Sequence, residues 1–385
     1  MTTALSQQLI SWRRELHKNP ELSGQEFATT ERIRRWLEQA NIRQLNYPLK
    51  TGVIAEIGTG ESLIALRADI DALPIDESSG VDFSSQHAGV MHACGHDVHS
   101  SVMLGAALLL KAREAELPGR VRILFQPAEE TFTGAQQLID AGVLEGVQAI
   151  FGMHNPPELP VGTFSARGGP FYANVDRFVI RVTGKGAHAA RPQEGVDAIV
   201  TASQIVTALQ TLPSRSFSSL ESVVVSVTRF HGGNTWNVLP QTVELEGTVR
   251  THSHSVRAAV PEKIRQVIQG VATAFGAQAE LEWQAGPPAL VNSEHWATFS
   301  QQVAAASGYQ LKPAEIQMGG EDFAFYLHHV PGVFVSIGSA SEYGLHHPQF
   351  KPDEALILPA ANYFARLAEQ ALTSLKQSSP QAVNA

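Results

Sequence analysis

The sequence predicts an α/β protein with a mostly parallel sheet, into which a second, smaller α+β domain is inserted. Two observations predict this fold class. From residue 5 to residue 154, short β-rich runs alternate with helical stretches, which is typical of a parallel sheet covered on both faces. Around residue 175 the order changes to strand–helix–strand–strand–helix–strand, the pattern of a ferredoxin-like unit. The predicted boundaries are 1–174 and 287–385 for the larger domain and 175–286 for the inserted one.

The elements of the larger domain follow from hydrophobic periodicity and from helix start and stop signals. Asn19-Pro20 ends the first helix, and Ser23 followed by Glu26 is a capping-box signature for the second. The polar tail Lys376–Ala385 is predicted to be disordered. Helices are predicted at Leu5–Lys18, Ser23–Ala40, 98–116, 134–141, Glu294–Ala306 and Leu358–Leu375, and strands at Val53–Ile57, Leu63–Leu66, Val121–Gln126, Ala149–Met153 and Val333–Ile337.

The inserted domain is predicted from a second set of strands and helices. Its strands are Phe178–Thr183, Ser222–Phe230, Thr242–Arg250 and Ala277–Trp283, and its helices are Gly195–Thr211 and Val260–Phe275.

Charge and composition narrow the class of partner. The 385 residues carry 28 Lys and Arg against 37 Asp and Glu, a net charge of -9, and no run of basic residues. Nucleic acids and anionic membranes need a basic patch, so neither is an expected partner.

The single cysteine allows no intramolecular disulfide and fits a reducing compartment. Met1–Ile10 lacks a signal-peptide pattern, and the apolar run Val102–Leu110 is too short to span a membrane. The expected location is the cytoplasm.

A metal site is predicted around the only cysteine. Cys94 and His96 lie two residues apart in a tight turn, and a thiolate with an imidazole suits zinc and related divalent ions. Three further groups directly follow predicted strands: Asp69 with Asp71, Glu129 with Glu130, and His154. Because ligands bind beyond the carboxyl ends of the strands in such sheets, these groups are expected to converge.

The adjacent pair Glu129-Glu130 can fill two roles, since successive side chains on an extended chain point in opposite directions. One carboxylate can bind a metal while the other faces the substrate. Asp71 and Asp97 are expected to orient the imidazoles of metal ligands. For Asp69, His92 and His99, a structural role and a functional role both stay open.

Six motifs in order resemble a known family over about residues 5–375. The sequence resembles the amidohydrolase branch of the aminoacylase / carboxypeptidase G metallopeptidases, which includes hippurate hydrolases, N-acetyl-amino-acid deacetylases and plant hydrolases of indole-acetyl amino acid conjugates. The motifs are His92-Ala-Cys94-Gly-His96-Asp97, Pro127-Ala-Glu129-Glu130, Gly152-Met-His154, Gly184-Lys-Gly186-Ala-His188, Gly319-Gly-Glu321-Asp322-Phe323 and His346-His-Pro348.

The resemblance implies a zinc-peptidase-like catalytic domain with a ferredoxin-like lid and a centre of two divalent ions. Zinc, manganese, cobalt and nickel all stay open. Glu129 is implied as the general base, and His188 as a group that stabilises the oxyanion and that comes from the partner subunit in dimeric members. The implied metal ligands are Cys94, His96, Glu130, His154 and His346, where His346 is preferred to His347 because the family pattern is His, any residue, Pro.

The implied reaction is hydrolysis of an N-acyl-L-amino acid, of N-acetyl or N-benzoyl type, by a homodimeric enzyme. Asn237 and Arg250 are the candidates for binding the substrate carboxylate, because a guanidinium can bind a carboxylate through two parallel hydrogen bonds. Two alternatives stay open. The same centre could serve a dipeptidase or carboxypeptidase, or the chain could be a non-catalytic binding protein that kept the fold.

Overall fold

The computed structural model describes residues 2–378, and these residues form two compact units. The larger unit contains the chain up to Phe171, Val291–Glu315 and the chain from Asp322 onward, and the smaller unit contains Tyr172–Leu290 and Ile316–Glu321.

Both units combine helices and strands. In chain order, the helices of the described residues are α1 (Thr2–Lys18), α2 (Phe27–Gln39), α3 (His96–Ala112), α4 (Gly134–Asp140), α5 (Ala198–Leu209), α6 (Leu212–Arg215), α7 (His254–Ala274), α8 (Glu294–Ala306), α9 (Phe323–Leu327) and α10 (Ile357–Ser378). The strands are β1 (Arg43–Leu45), β2 (Val53–Gly58), β3 (Leu63–Asp69), β4 (Arg120–Gln126), β5 (Ala149–His154), β6 (Thr163–Ser165), β7 (Gly169–Tyr172), β8 (Asn174–Thr183), β9 (Ala187–His188), β10 (Val223–Gly232), β11 (Val238–Leu239), β12 (Thr242–Thr251), β13 (Gln278–Ala285), β14 (Leu290–Asn292), β15 (Gln310–Lys312) and β16 (Gly332–Ile337).

The larger unit is built on an eight-stranded sheet in the order β1-β2-β4-β3-β5-β16-β6-β15. The four central neighbours β4, β3, β5 and β16 are parallel. At the flanks, β2 pairs antiparallel with β4, β1 with β2, and β6 with β16, while β15 pairs parallel with β6. The prediction of an α/β fold with a mostly parallel sheet is confirmed. The carboxyl ends of four adjacent parallel strands therefore meet at one edge of the sheet.

The central strands are buried on both faces. Every residue of β3, β5 and β16 is buried, as expected when helices cover both sides of a parallel sheet. The core between sheet and helices includes Leu9 of α1, Val102 of α3, Phe125 of β4 and Phe364 of α10, all without solvent exposure. Two charged residues of β3, Arg67 and Asp69, are buried in the same layer.

The predicted capping box of α2 is wrong. The helix begins at Phe27, and Glu26 at its N-cap position makes no side-chain capping bond. The carboxylate of Glu21 instead accepts hydrogen bonds from the backbone N–H groups of Ala28 (3.1 Å) and Thr29 (2.7 Å). At the other end of the chain, α10 continues to Ser378, and the rest of the tail that was predicted to be disordered lies outside the described residues.

The smaller unit contains a four-stranded antiparallel sheet in the order β10-β12-β8-β13, with α5 and α7 as its long helices. This strand order and the βαββαβ chain order are those of a ferredoxin-like unit. Its core joins Phe178, Leu245, Ile205 and Ile264, which are all fully buried. In neither unit is any helix of the described chain long and apolar enough to cross a membrane.

Candidate metal centre and active site

Most of the predicted site residues lie at or after the ends of the four parallel strands of the larger unit. Strand β3 ends at Asp69, β4 ends three residues before Glu129, β5 ends at His154, and β16 leads into the loop that carries His346. The strands lie in the order β4-β3-β5-β16, so these side chains come from adjacent strand ends. The aspartate, glutamate and histidine groups therefore converge at one edge of the sheet, as expected.

The turn with Cys94 and His96 needs glycine between them. Gly95 has φ +88°, a left-handed conformation that L side chains rarely adopt. A Cβ built at this position would lie 2.4 Å from Asn155 Nδ2. The turn leads directly into α3, whose first residue is His96. Gly95 therefore allows the thiol and the imidazole to face the same side while Asn155 packs behind the turn.

Six potential donor side chains lie close together in this part of the larger unit. Cys94 Sγ lies 3.4 Å from His154 Nε2. Glu130 Oε1 lies 3.8 Å from His96 Nε2 and 3.6 Å from His346 Nε2, and His96 Nε2 lies 3.9 Å from Glu129 Oε2. Five of the six form two groups that share Glu130, namely Cys94 with Glu130 and His346, and His96 with Glu129 and Glu130. The sixth, His154, contacts Cys94.

These donors fit divalent cations. Ligands at about 2.0–2.3 Å from one ion lie roughly 3–4 Å from one another, which is the spacing of these atoms. Glu130 Oε1 is buried and accepts no hydrogen bond from any described residue. A buried carboxylate oxygen without a donor is costly unless a cation binds it. Thiol, imidazole and carboxylate together suit zinc and its neighbours among the transition metals.

Burial and neighbouring carboxylates shift the pKa values of the donor side chains. Burial raises the pKa of Glu130 to about 7, and burial together with Glu130 and Glu129 raises the pKa of the Cys94 thiol well above its usual range. Burial lowers the pKa of His96, but Asp69 and Asp71 outweigh this effect and raise it to about 10. Burial lowers the pKa of His154 well below its usual value, which leaves a neutral imidazole. Added positive charge would favour the deprotonated carboxylate and thiol.

Asp71 contacts the ring of His96, the imidazole that it is predicted to orient. His96 Nδ1 lies 2.9 Å from the carbonyl oxygen of Asp71 and 3.2 Å from its Oδ1. Asp71 Oδ2 accepts hydrogen bonds from Ser23 Oγ (2.7 Å) and from the backbone N–H of Glu130 (3.0 Å). One carboxylate thus fixes an imidazole from the cysteine turn and the backbone of the glutamate loop.

Asp97 makes different contacts from those expected. Its Oδ2 lies 2.7 Å from Arg13 Nε and 2.8 Å from His17 Nδ1, and among residues 2–378 it bonds to no ligand imidazole. Asp97 is the second residue of α3, and its side chain points toward α1 instead of toward the donors. Its contribution is to fix the first turn of α3, and therefore the backbone next to His96.

His346, and not His347, lies at the donor group. The backbone N–H of His346 donates to the carbonyl of Ala93 (2.8 Å), which joins its loop to the cysteine turn. His346 has φ +62°, a strained conformation for a residue with a Cβ. The ring of His347 instead stacks on Tyr343, with centroids 4.6 Å apart.

Two buried hydrogen-bond networks next to the donors were not predicted from the sequence. Arg67 binds Asp69 Oδ2 (2.6 Å) and Asp322 Oδ1 (2.6 Å), so it ties the end of β3 to the Asp322 of the fifth motif. His99 bridges Asp69 Oδ1 (2.6 Å) and Asn155 Oδ1 (2.7 Å). The only local signal for the first network was an arginine inside an otherwise apolar strand.

His92 is buried, and neither of its ring nitrogens has a partner among the described residues.

Three predicted site residues lie in the smaller unit. His188 on β9 is exposed, and β9 pairs with β11, so that Ala189 N–H donates to the carbonyl of Asn237 (3.1 Å). Arg250 near the end of β12 is half-buried, and its Nε donates to Thr248 Oγ1 (3.0 Å). Burial lowers the pKa of the Arg250 guanidinium. His188 and Asn237 are therefore neighbours, on a two-stranded ribbon apart from the main sheet of this unit.

Comparisons with known proteins identify relatives of this chain. The chain is similar to N-acetylcysteine deacetylase of Bacillus subtilis (strain 168), with 50% identity over 376 residues, or 97% of this chain and 99% of the relative. It is similar to IAA-amino acid hydrolase ILR1-like 4 of Arabidopsis thaliana, with 39% identity over 383 residues, or 96% of this chain and 87% of that protein.

A solved structure and a family match extend the comparison. The crystal structure of the YXEP protein of Bacillus subtilis, a dinuclear metal binding peptidase from the M20 family, superposes with a TM-score of 0.87 at 48% identity, over 96% of this chain and 99% of that one. Residues 65–370 match the description Peptidase family M20/M25/M40. This chain belongs to the peptidase family M20/M25/M40.

Proposed function

We propose that the protein is a metal-dependent amidohydrolase that cleaves N-acyl-L-amino acids to a carboxylic acid and a free amino acid. The observation that carries this proposal is the group of thiol, imidazole and carboxylate donors at the ends of four parallel strands, which contains a buried glutamate oxygen without a donor. The two named relatives hydrolyse, according to their names, N-acetylcysteine and an IAA-amino acid. An amino acid that carries an acyl group on its nitrogen is common to both.

The donor set would hold two divalent ions, of which zinc, manganese, cobalt and nickel are the candidates. The residues proposed to bind them are Cys94, His96, Glu130, His154 and His346. When bound, such ions acidify a water molecule and polarise the amide carbonyl.

The chain's own contribution to the chemistry is proton transfer and charge stabilisation. Glu129 is buried beside His96, with its Oε2 3.9 Å from His96 Nε2. We assign to it the role of general base, which accepts a proton from the attacking water and passes it to the leaving amine. General acid–base catalysis of this kind contributes about 10²–10⁴-fold in rate.

Three residues of the smaller unit are proposed to act on the substrate. His188 would donate a hydrogen bond to the oxyanion that forms at the attacked carbonyl, a contribution of about 10²–10³-fold in kcat. Asn237 and Arg250 would bind the substrate carboxylate. The support for Arg250 is a half-buried guanidinium whose nearby carboxylate, Asp176, is paired with Arg257 at 2.6 Å.

The experiment measures release of free amino acid from three substrate classes: N-acetyl-L-amino acids with N-acetyl-L-cysteine among them, N-benzoyl-L-amino acids, and dipeptides. Wild type and Glu129→Gln are stripped of metal and reloaded with zinc, manganese, cobalt or nickel. Glu145→Gln, the same change at an exposed position of the larger unit, is the matched control. Metal content is measured for each protein.

We expect metal-dependent release from N-acyl amino acids by wild type and Glu145→Gln, and its loss in Glu129→Gln with metal retained. Release from dipeptides alone would make the protein a peptidase. No release from any substrate by folded, metal-loaded wild type would refute an enzymatic function and favour a binding protein.

We also propose that the protein is a homodimer formed through the smaller unit. The support is a set of exposed apolar side chains on this unit, including Leu220 (94% exposed), Trp236 (92%), Val238 (47%) and Phe230 (44%), together with β10 as an edge strand. Large apolar side chains exposed together often mark protein–protein contacts. We further propose a cytoplasmic location, which the single cysteine supports.

Mixing two inactive variants tests whether His188 acts on the partner's site. In a mixed dimer of Glu129→Gln and His188→Asn, one of the two sites would combine an intact Glu129 with an intact His188 of the partner subunit. Recovery of activity after the variants are dissociated and reassociated together supports action in trans. An absence of recovery in a verified mixed dimer places the function of His188 within its own subunit, and a monomeric mass from light scattering refutes the dimer.

A further inference from the structure

The loop between α1 and α2 contacts the site through side chains that were expected to cap a helix. Because Glu21 caps α2, Ser23 and Glu26 are free for other partners. Ser23 Oγ donates to Asp71 Oδ2 (2.7 Å). The backbone of the same loop is joined to the chain after β3 by the hydrogen bond from Ala72 N–H to the Glu21 carbonyl (2.8 Å).

Glu26 is a fully buried carboxylate with three hydrogen-bond donors. Its Oε1 accepts from the backbone N–H of Gly24 (2.8 Å) and from the backbone N–H of Ala128 (2.9 Å), and its Oε2 accepts from Thr51 Oγ1 (2.9 Å). Gly24 and Thr51 belong to the loops beside Glu26 in the fold. Ala128 is the residue directly before Glu129, and it lies 102 positions away in sequence.

Ala128 is held in an unfavourable backbone conformation. Its φ is +54°, in the left-handed region where a residue with a Cβ is strained. Its carbonyl accepts from the backbone N–H groups of Thr133 (3.2 Å) and Gly134 (3.1 Å), which closes the loop that carries Glu129 and Glu130. The backbone direction at Ala128 fixes where the next two side chains point. While these bonds hold the carbonyl of Ala128, the hydrogen bond from its N–H to Glu26 holds its amide group.

We infer that Glu26 is a positioning residue, which holds Ala128 in its left-handed conformation and thereby aims Glu129 and Glu130 at the metal centre. The inference rests on the proposed function for its rate effect, and on the proposed binding of metal by Glu130 for its effect on metal affinity. Glu26 reaches the reacting groups only through the backbone. Its removal frees Ala128 to relax toward an ordinary φ, which would turn both carboxylates away from His96 and His346.

Three variants separate positioning from general stabilisation. Glu26→Ala removes the acceptor of the Ala128 N–H. Glu26→Gln keeps a side-chain oxygen for the two backbone N–H groups and places an amide against Thr51, whose hydroxyl can accept. Thr51→Val removes the hydrogen bond to the other carboxylate oxygen and leaves the bond to Ala128. Each purified protein is measured for kcat and KM on N-acetyl-L-amino acids at saturating metal, for zinc and manganese affinity by calorimetry, and for stability in urea.

For Glu26→Ala we expect kcat to fall by about 10²-fold with little change in KM, because small displacements of catalytic groups cost about this much. We expect its metal affinity to fall by about 10-fold. Glu26→Gln should restore both quantities, and Thr51→Val should lose stability but keep both. Equal kcat and equal metal affinity in Glu26→Ala and Glu26→Gln would overturn the inference. An inactive wild type would instead refute the proposed function, and the metal affinities would still decide the role of Glu26.

Discussion

Replacing Asp71 by Asn should weaken metal binding without unfolding the protein. The two carboxylate oxygens of Asp71 serve different partners: Oδ2 accepts from Ser23 Oγ and Glu130 N–H, and Oδ1 faces His96 Nδ1 at 3.2 Å. An asparagine can place its oxygen on one side only. If that oxygen keeps Ser23 and Glu130, its NH₂ group faces His96 Nδ1–H, and two donors then oppose each other.

The magnitude follows from what His96 loses. Its Nδ1 keeps the carbonyl of Asp71 at 2.9 Å but loses the charged acceptor that fixes the ring and increases its basicity. Loss of such a partner of a ligating histidine costs about 10–100-fold in metal affinity, or roughly 1.4–2.7 kcal/mol. Opposed donors in a fully buried place should also lower the free energy of unfolding by about 1–3 kcal/mol.

The assay is competition for zinc or manganese against a chelator of known affinity, with urea unfolding of the metal-free proteins beside it. Ser23→Ala is the control, because it removes one hydrogen bond from Oδ2 and leaves the carboxylate facing His96. We expect a clear loss of affinity in Asp71→Asn and a small one in Ser23→Ala. Equal affinities of wild type and a folded Asp71→Asn would refute the claim that this carboxylate orients His96.

Two further predictions concern α3 and its neighbours. Burial and Arg13 lower the pKa of His17, but Asp97 and Glu77 outweigh them and raise it above the ordinary value. The imidazolium therefore stabilises the folded protein below the unfolded pKa of about 6.5. This contribution is lost as the pH rises through the folded pKa. Urea unfolding from pH 5.5 to 8.5 should show the stability difference between wild type and His17→Gln shrinking as the pH increases, and a constant difference would contradict this. Gly95→Ala should unfold at a lower temperature and lose metal affinity, because its Cβ would lie 2.4 Å from Asn155 Nδ2; an unchanged Tm and affinity would show that the turn tolerates a Cβ.

The fold could be predicted because its signals are local. Strands such as β5 and β16 are almost entirely apolar, and the helices between them carry their own start and stop residues. The change to a βαββαβ order was visible as a change in the sequence of elements. Once a parallel sheet is predicted, the positions after its strands become candidates for a site, which selected Asp71, Glu129, Glu130 and His154 before any contact was known.

The residues that hold the site in place could not be predicted, because their partners are distant in sequence. Arg13 meets Asp97 across 84 positions, and Glu26 meets the N–H of Ala128 across 102. Nothing near either residue indicates such a partner. The pair Ser23 and Glu26 even matched a local rule that predicted a different role. Local rules fail most often where a chain uses side chains for a site instead of for its own helix.

The donor residues also show why metal binding and protonation must be coupled in this protein. With its pKa raised to about 7 by burial, Glu130 is partly protonated at neutral pH, and the thiol of Cys94 is fully protonated because its pKa is raised well above the usual range. Metal binding by Cys94, Glu130 and His96, as proposed above, requires the thiolate, the carboxylate and a neutral imidazole, so loading the centre should release protons. The affinity should therefore rise with pH across the neutral range, and calorimetry in buffers of different ionisation enthalpy should count more than one proton released per loaded centre at pH 7. A count near zero would contradict metal binding by both Cys94 and His96, because the thiol and the His96 imidazolium, with its pKa raised to about 10, must each lose a proton to bind.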